Sequence, residues 1–235
     1  MTDVNEPTYP MRINKYLAMR GIATRKDADT LIAQGKVTIN GRKAVLGDKV
    51  MEADKVEAKG MRNDFRYFAY NNPNGVVTHS PQFGEKDIEN SIPLQALFPV
   101  GRLDKRSSGL IILTDDARVT DRLLNPKFAH DKEYRVTCAN DIPPNFKKRM
   151  EQGVDIGGYI TKPCHIELVN ETKFNIILTE GKKHQIRRMC DAVKAPAIEL
   201  QRVRIMNIRL GSMKPNEYRE LKGIELSQFL TSLGL

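Results

Sequence analysis

Apolar positions recur at helical spacing near the start of the chain and then give way to alternation. Within residues 11–20, Ile13, Tyr16 and Leu17 share one face, and Gly21 fits as the stop of a helix. Thr24 followed by Asp27 has the form of a capping box. The helix it opens would bury Ala28, Leu31 and Ile32 and end at Gly35. Val37 and Ile39 then alternate with polar residues, Asn40-Gly41 predicts a tight type I′ turn, and Ala44-Val45 begins the return strand. Two short helices and a hairpin thus occupy residues 11 to about 60. Residues 1–10, polar and with Pro7 and Pro10, read as a flexible lead-in.

A linker is expected at 59–64, and strand signals dominate from residue 65 onward. Residues 65–70 read as a strand that closes on the turn Asn71-Asn72-Pro73-Asn74-Gly75 and resumes at Val76-Val77-Thr78. Further strands fit 110–114, 133–138 and 173–178, and helices fit 116–124, 143–151 and 183–194. No regular βαβ rhythm is present. The fold class is therefore α+β: a small helical unit, then a domain at 65–235 with a largely antiparallel, mixed β-sheet flanked by helices.

Charge changes the picture next. Lys and Arg number 38 against 29 Asp and Glu, a net charge of +9. A polyanionic partner is implied, nucleic acid first and an acidic membrane surface second. The excess is concentrated in the first unit, where Arg12, Lys15, Arg20, Arg25, Lys26, Lys36, Arg42 and Lys43 face only Asp27 and Asp29. An ordinary solvated face mixes both signs, so nucleic-acid binding is favoured. No run approaches the ~20 apolar residues that span a bilayer, and the first residues have no apolar signal core. A cytoplasmic protein without a membrane role is expected. The three cysteines and four histidines are scattered, and neither a phosphate-cradling glycine loop nor a GxGxxG is present. No metal, disulfide or nucleotide cofactor is called for.

Three clusters carry candidate chemistry. In Gly101-Arg102-Leu103-Asp104-Lys105-Arg106-Ser107-Ser108-Gly109-Leu110, two cations flank one carboxylate ahead of an apolar strand. Asp104 is either a turn former or an ionised nucleophile or base kept charged by its neighbours. In His184-Gln185-Ile186-Arg187-Arg188-Met189-Cys190, the residues Ile186, Met189, Cys190 and Val193 form a core stripe that leaves both arginines off it. Cations early in a helix oppose its dipole. Arg187 and Arg188 therefore suggest a phosphate, a carboxylate from elsewhere in the fold, or simply an exposed cationic face. Tyr134, opening a strand after Lys132, is either core or a platform for an unstacked base.

These patterns resemble two known families. The run Arg12-x-Asn14-Lys15-Tyr16-Leu17, continuing through Gly21-Ile22, Thr24-Arg25 and Ala28 to Val37-x-Ile39-Asn40-Gly41, looks like an S4 domain, a module that binds structured RNA. Gly101-Arg102-Leu103-Asp104, Lys132-x-Tyr134, His184 to Met189 and Arg202-x-Arg204-Ile205 resemble the pseudouridine synthases that carry such a domain. Within that branch the likeness is strongest to the synthase F subtype, which acts on the large ribosomal particle.

The resemblance implies an isomerase that converts a uridine of ribosomal RNA, expected in the 23S molecule, to pseudouridine without a cofactor. It implies Asp104 as the catalytic aspartate, Tyr134 as the ring stacked on the uracil, and Arg187 as the ion-pair partner of Asp104. Arg102 would help displace the target nucleotide. Further RNA contacts are expected from Arg12, Asn14, Lys15, Arg25, Lys26, Lys36, Arg188 and Arg202, and the protein is expected to be a monomer. Asp104 would attack the sugar or the base, or remove a ribose proton. Two departures stand out: Asn72 replaces a usual lysine, and Arg106 adds charge beside Asp104. Rival readings are a transfer-RNA uridine as additional or main substrate, and a non-catalytic assembly factor on the same fold.

Overall fold

The computed structural model describes residues 9–23, 25–59, 64–78, 86–94 and 96–235, without the side chains of Lys26, Glu89 and Asn90. The capping residue Thr24 and linker residues 60–63 lie outside that description, as do residues 1–8 of the lead-in. The chain divides into two compact units, 1–66 with 114–121, and 67–113 with 122–235.

The first unit contains β1 (Met11–Arg12), α1 (Ile13–Met19), α2 (Arg25–Ala33), β2 (Val37–Ile39), β3 (Arg42–Lys43), β4 (Lys49–Val50) and β5 (Val56–Ala58). Its core is the apolar set the spacing marks out, including Ile13, Leu17, Ala28, Ile32, Val37 and Ile39, all buried. The turn between β2 and β3 has positive φ at both Asn40 and Gly41, as a type I′ turn requires. Two expectations shift. The return strand starts at Arg42 instead of Ala44, and Met11–Arg12 pairs with β4 instead of opening the helix.

The second unit is built on nine described strands. They are β6 (Tyr67–Asn72), β7 (Phe98–Val100), β8 (Ser108–Thr114), β9 (Lys132–Cys138), β10 (His165–Leu168), β11 (Lys173–Leu178), β12 (Ala197–Ile205), β13 (Ile208–Arg209) and β14 (Tyr218–Glu220). The main order is β10-β11-β9-β12-β8-β6-β14, with β13 on β12 and β7 on β8. The pairings of β9, β10 and β11 are antiparallel, whereas β12 runs parallel to β8. Helices are α3 (Ile88–Ser91), α4 (Ala117–Leu124, across the division), α5 (Phe146–Glu151), α6 (Gln185–Ala192) and α7 (Gly223–Ser232). The stripe Ile186, Met189, Cys190 and Val193 seats α6 in a cluster with Phe146, Phe174 and Ile176. Strand β6 continues through Asn71 and Asn72, where a turn is expected. Both are buried because their side-chain amides satisfy backbone carbonyls, Asn71 that of Met213 and Asn72 those of Pro73 and Val76.

The parallel junction of β8 and β12 depends on Gly109. Its φ is +106, and a Cβ there would lie 2.3 Å from the carbonyl oxygen of Arg202. Only glycine allows the two strands to approach this closely in this conformation.

Candidate active site

The segment 101–107 leads into β8 and is tied down at successive points. The Leu103 amide donates to Thr78 Oγ1 (3.0 Å), and that hydroxyl donates to the Leu103 carbonyl (3.2 Å). The Gly75 amide donates to the Lys105 carbonyl, and Ser107 closes a turn onto the Asp104 carbonyl, each at 2.8 Å. With its backbone held on both sides, Asp104 presents a carboxylate that is 37% exposed.

That carboxylate meets an imidazole. His184 Nδ1 lies 3.0 Å from Asp104 Oδ2. His184 sits just ahead of α6 with φ +52, a left-handed conformation that turns its ring away from the helical path. The turn carrying it rests on the buried Glu180. This carboxylate accepts from the Tyr159 hydroxyl (2.5 Å), the Lys162 amide (2.9 Å) and Gln185 Nε2 (2.8 Å). Gln185 in turn accepts from the Lys182 amide at 2.9 Å. Burial pushes the Glu180 carboxyl up, but these hydrogen bonds together hold it below its ordinary value.

Asp104 and His184 line a cleft of about 920 Å³, together with Tyr134, Lys132, Arg202 and Thr78. The exposed cations Arg102, Lys105, Lys182 and Lys183 line it as well. Tyr134 is half-buried and packs against two apolar clusters, so it serves the core and faces the cleft at once.

One expectation needs correction. Arg187 does not pair with Asp104; it donates to the carbonyls of Ala197 and Arg106, each at 2.7 Å. The physical reason is position along α6. His184 precedes the helix and reaches the carboxylate, while Arg187, one turn on, lies level with the main chain of Arg106. Arg188, partly exposed, donates to the Ile156 carbonyl through one guanidinium nitrogen. Arg202 is 3% exposed, with Nε donating to the Leu110 carbonyl at 2.7 Å. Only a group inserted into the cleft could reach it. In the first unit, Arg12, Asn14, Lys15 and Arg25 line a hollow of about 350 Å³ with Tyr9, Pro10 and Met11. Asn14 there donates to Asp29 Oδ1 at 2.9 Å, which ties α1 to α2. Lys36 is exposed but does not line the hollow, and the Lys26 side chain is outside the described residues.

Sequence reasoning assigned no role to His184, Glu180, Thr78 or Lys132. The signal for His184 was its place at the head of the α6 stripe. Its backbone conformation, set by the turn on Glu180, is what aims the ring.

Residues 66–192 match the family of RNA pseudouridylate synthases, and residues 11–56 match the S4 domain. The chain belongs to the RNA pseudouridine synthases. It is 38% identical over 223 residues to the dual-specificity RNA pseudouridine synthase RluF of Salmonella typhi, covering 92% of this chain and 77% of the relative. It is 32% identical to the ribosomal large subunit pseudouridine synthase B of Bacillus subtilis, covering 92% and 94%. A solved pseudouridylate synthase superposes with a TM-score of 0.69 at 28% identity, over 95% of this chain and 99% of that one. This RNA pseudouridine synthase is an isomerase. It must break the bond from N1 of uracil to C1′, turn the base, and join C5 to C1′.

Proposed function

We propose that the chain isomerises a uridine of 23S ribosomal RNA, with Asp104 as its catalytic carboxylate. The observation that carries this reading is Asp104 itself, fixed by its backbone and paired with His184 in a cleft that also holds Tyr134. A base can reach such a cleft only by leaving its stack, at a cost of a few kcal/mol that stacking and hydrogen bonding inside the pocket must offset. Tyr134 is the stacking surface. Arg102, exposed beside Asp104, fills the space the base vacates. Arg187 acts through the loop backbone as a positioning residue. The cations around the hollow of the first unit grip the phosphates of a folded stem.

Names among the relatives support the ribosomal substrate, and the dual-specificity name supports a second substrate class, which we take to be transfer RNA. The test of the chemistry is tritium release from RNA containing 5-tritiated uridine. Asp104→Asn should lower release by about 10³-fold or more, about 4 kcal/mol of barrier, with RNA affinity unchanged. Release at the wild-type rate would overturn the assignment. Mapping pseudouridine in ribosomal and transfer RNA from cells lacking the protein identifies the substrate; no missing site in either would favour the assembly-factor reading.

A further inference from the structure

Two cations in the cleft, Lys132 and Arg202, have no ion-pair partner among the described residues. Lys132 and Tyr134 are two residues apart on β9, so both side chains stand on one face of the sheet. Arg202 on β12 is the register partner of Tyr134, which places it on that same face. All three line the cleft with Asp104. The Lys132 ammonium donates to the His130 carbonyl at 3.2 Å, leaving two donors over. Arg202 is buried, and its Nη2 has no hydrogen-bond partner. Among the described residues, neither Lys132 nor Arg202 forms an ion pair, while the neighbouring Asp131 is taken by Arg204 at 2.6 Å.

Burying a cation without an anion costs several kcal/mol. The strain is visible on Lys132: burial, then the like charge of Arg202, push its ammonium down to about 8 against the pull of Asp131. It remains mostly charged at neutral pH. Such a pair is built for a negative charge that arrives from outside the fold.

We propose that Lys132 and Arg202 form the site that takes up the negative charge of the uracil ring when its glycosidic bond breaks. The inference rests on the proposed role of Asp104 as the catalytic carboxylate and takes that carboxylate to act on the ribose. Breaking the N1–C1′ bond sends its electron pair onto the ring, where N1, O2 and O4 share the charge. C1′ is left short of that pair. The Asp104 carboxylate makes up the deficit by adding to C1′ or by taking the C2′ proton. As C5 bonds to C1′, the carboxylate leaves or the proton returns; C5 then loses its proton to solvent and N1 takes one up. Neutral uridine offers the two cations only carbonyl acceptors, whereas the detached base offers an anion. The interaction therefore strengthens as the bond breaks, which is what lowers a barrier.

The test is single-turnover cleavage of the target nucleoside in two RNAs, one carrying uridine and one carrying 5-fluorouridine, whose base is the more acidic leaving group. Lys132→Met should slow the uridine reaction by about 100-fold, the loss expected for one donor to a developing anion. Lys132→Arg should restore most of the rate, and RNA affinity should hold in both variants. On 5-fluorouridine the Lys132→Met penalty should shrink to about tenfold, because a base that carries its own charge better needs the cations less. Equal penalties on the two RNAs, or none on either, would overturn the proposal. So would weakened RNA binding at an unchanged single-turnover rate, since the site would then hold a phosphate. An inactive wild type would instead count against the reading of Asp104.

Discussion

His184 Nδ1 lies 3.0 Å from Asp104 Oδ2, joining the loop before β8 to the turn before α6. Arg187, on the same helix, bridges the carbonyls of Arg106 and Ala197 instead. The contact with Asp104 expected of Arg187 is thus made by His184. The imidazole addresses the carboxylate, and the guanidinium addresses the main chain that carries it. The contact is a charge pair only when the imidazole carries both of its protons.

Removing the imidazole should leave Asp104 in place but free to rotate. His184→Ala is expected to lower the single-turnover rate by about 10- to 100-fold, or 1.4 to 2.8 kcal/mol, with little change in RNA affinity. Tritium release under single-turnover conditions measures this directly. A variant as fast as wild type would remove His184 from the site.

Arg187 bridges two carbonyls with a planar fork that lysine lacks. Arg187→Lys should therefore lose nearly as much activity as Arg187→Ala, about tenfold or more. Amide hydrogen exchange in residues 101–107 should quicken in both variants. Full activity in the lysine variant would mean that charge, and not the bridge, is what the site needs.

Much of this arrangement is legible in the chain because it depends on local patterns. Alternation marks β11, the spacing of Ile186, Met189, Cys190 and Val193 marks the buried face of α6, and Asn40-Gly41 marks its turn. Asp104 draws attention because opposite charges around a carboxylate are visible along the sequence. The partners of Asp104 and Arg187 are not legible, since a guanidinium donates to a carboxylate or to two carbonyls equally well and only tertiary distance decides. Asn71 and Asn72 read as a turn for a similar reason: their composition predicts a loop, and burial against carbonyls of the second unit overrides it.

Gly109 sets how closely β8 and β12 approach, and Arg202 stands directly opposite it. In Gly109→Ala the new Cβ would meet the Arg202 carbonyl at 2.3 Å with φ at +106, so backbone must move. A destabilisation of about 3 kcal/mol or more is expected, seen as a lower urea midpoint. An unmoved midpoint would show that the strands separate at no cost.

Glu180 makes stability depend on pH with a definite sign. Its folded-state carboxyl is held below the ordinary 4.5 because the hydrogen bonds from Tyr159, Lys162 and Gln185 outweigh burial. A depressed carboxyl contributes stability above its unfolded value and loses it as pH falls through the folded value. Wild type should thus be more stable than Glu180→Gln by about 1 to 3 kcal/mol above pH ~5, the range for hydrogen bonds to a buried charge. The two unfolding curves should converge as pH drops below about 4.5, where the wild-type carboxyl takes up its proton. Denaturant melts of both proteins across this range provide the measurement, and a constant separation down to acid pH would refute the linkage. The same variant should also slow tritium release at neutral pH, because the turn resting on Glu180 is what aims His184 at Asp104.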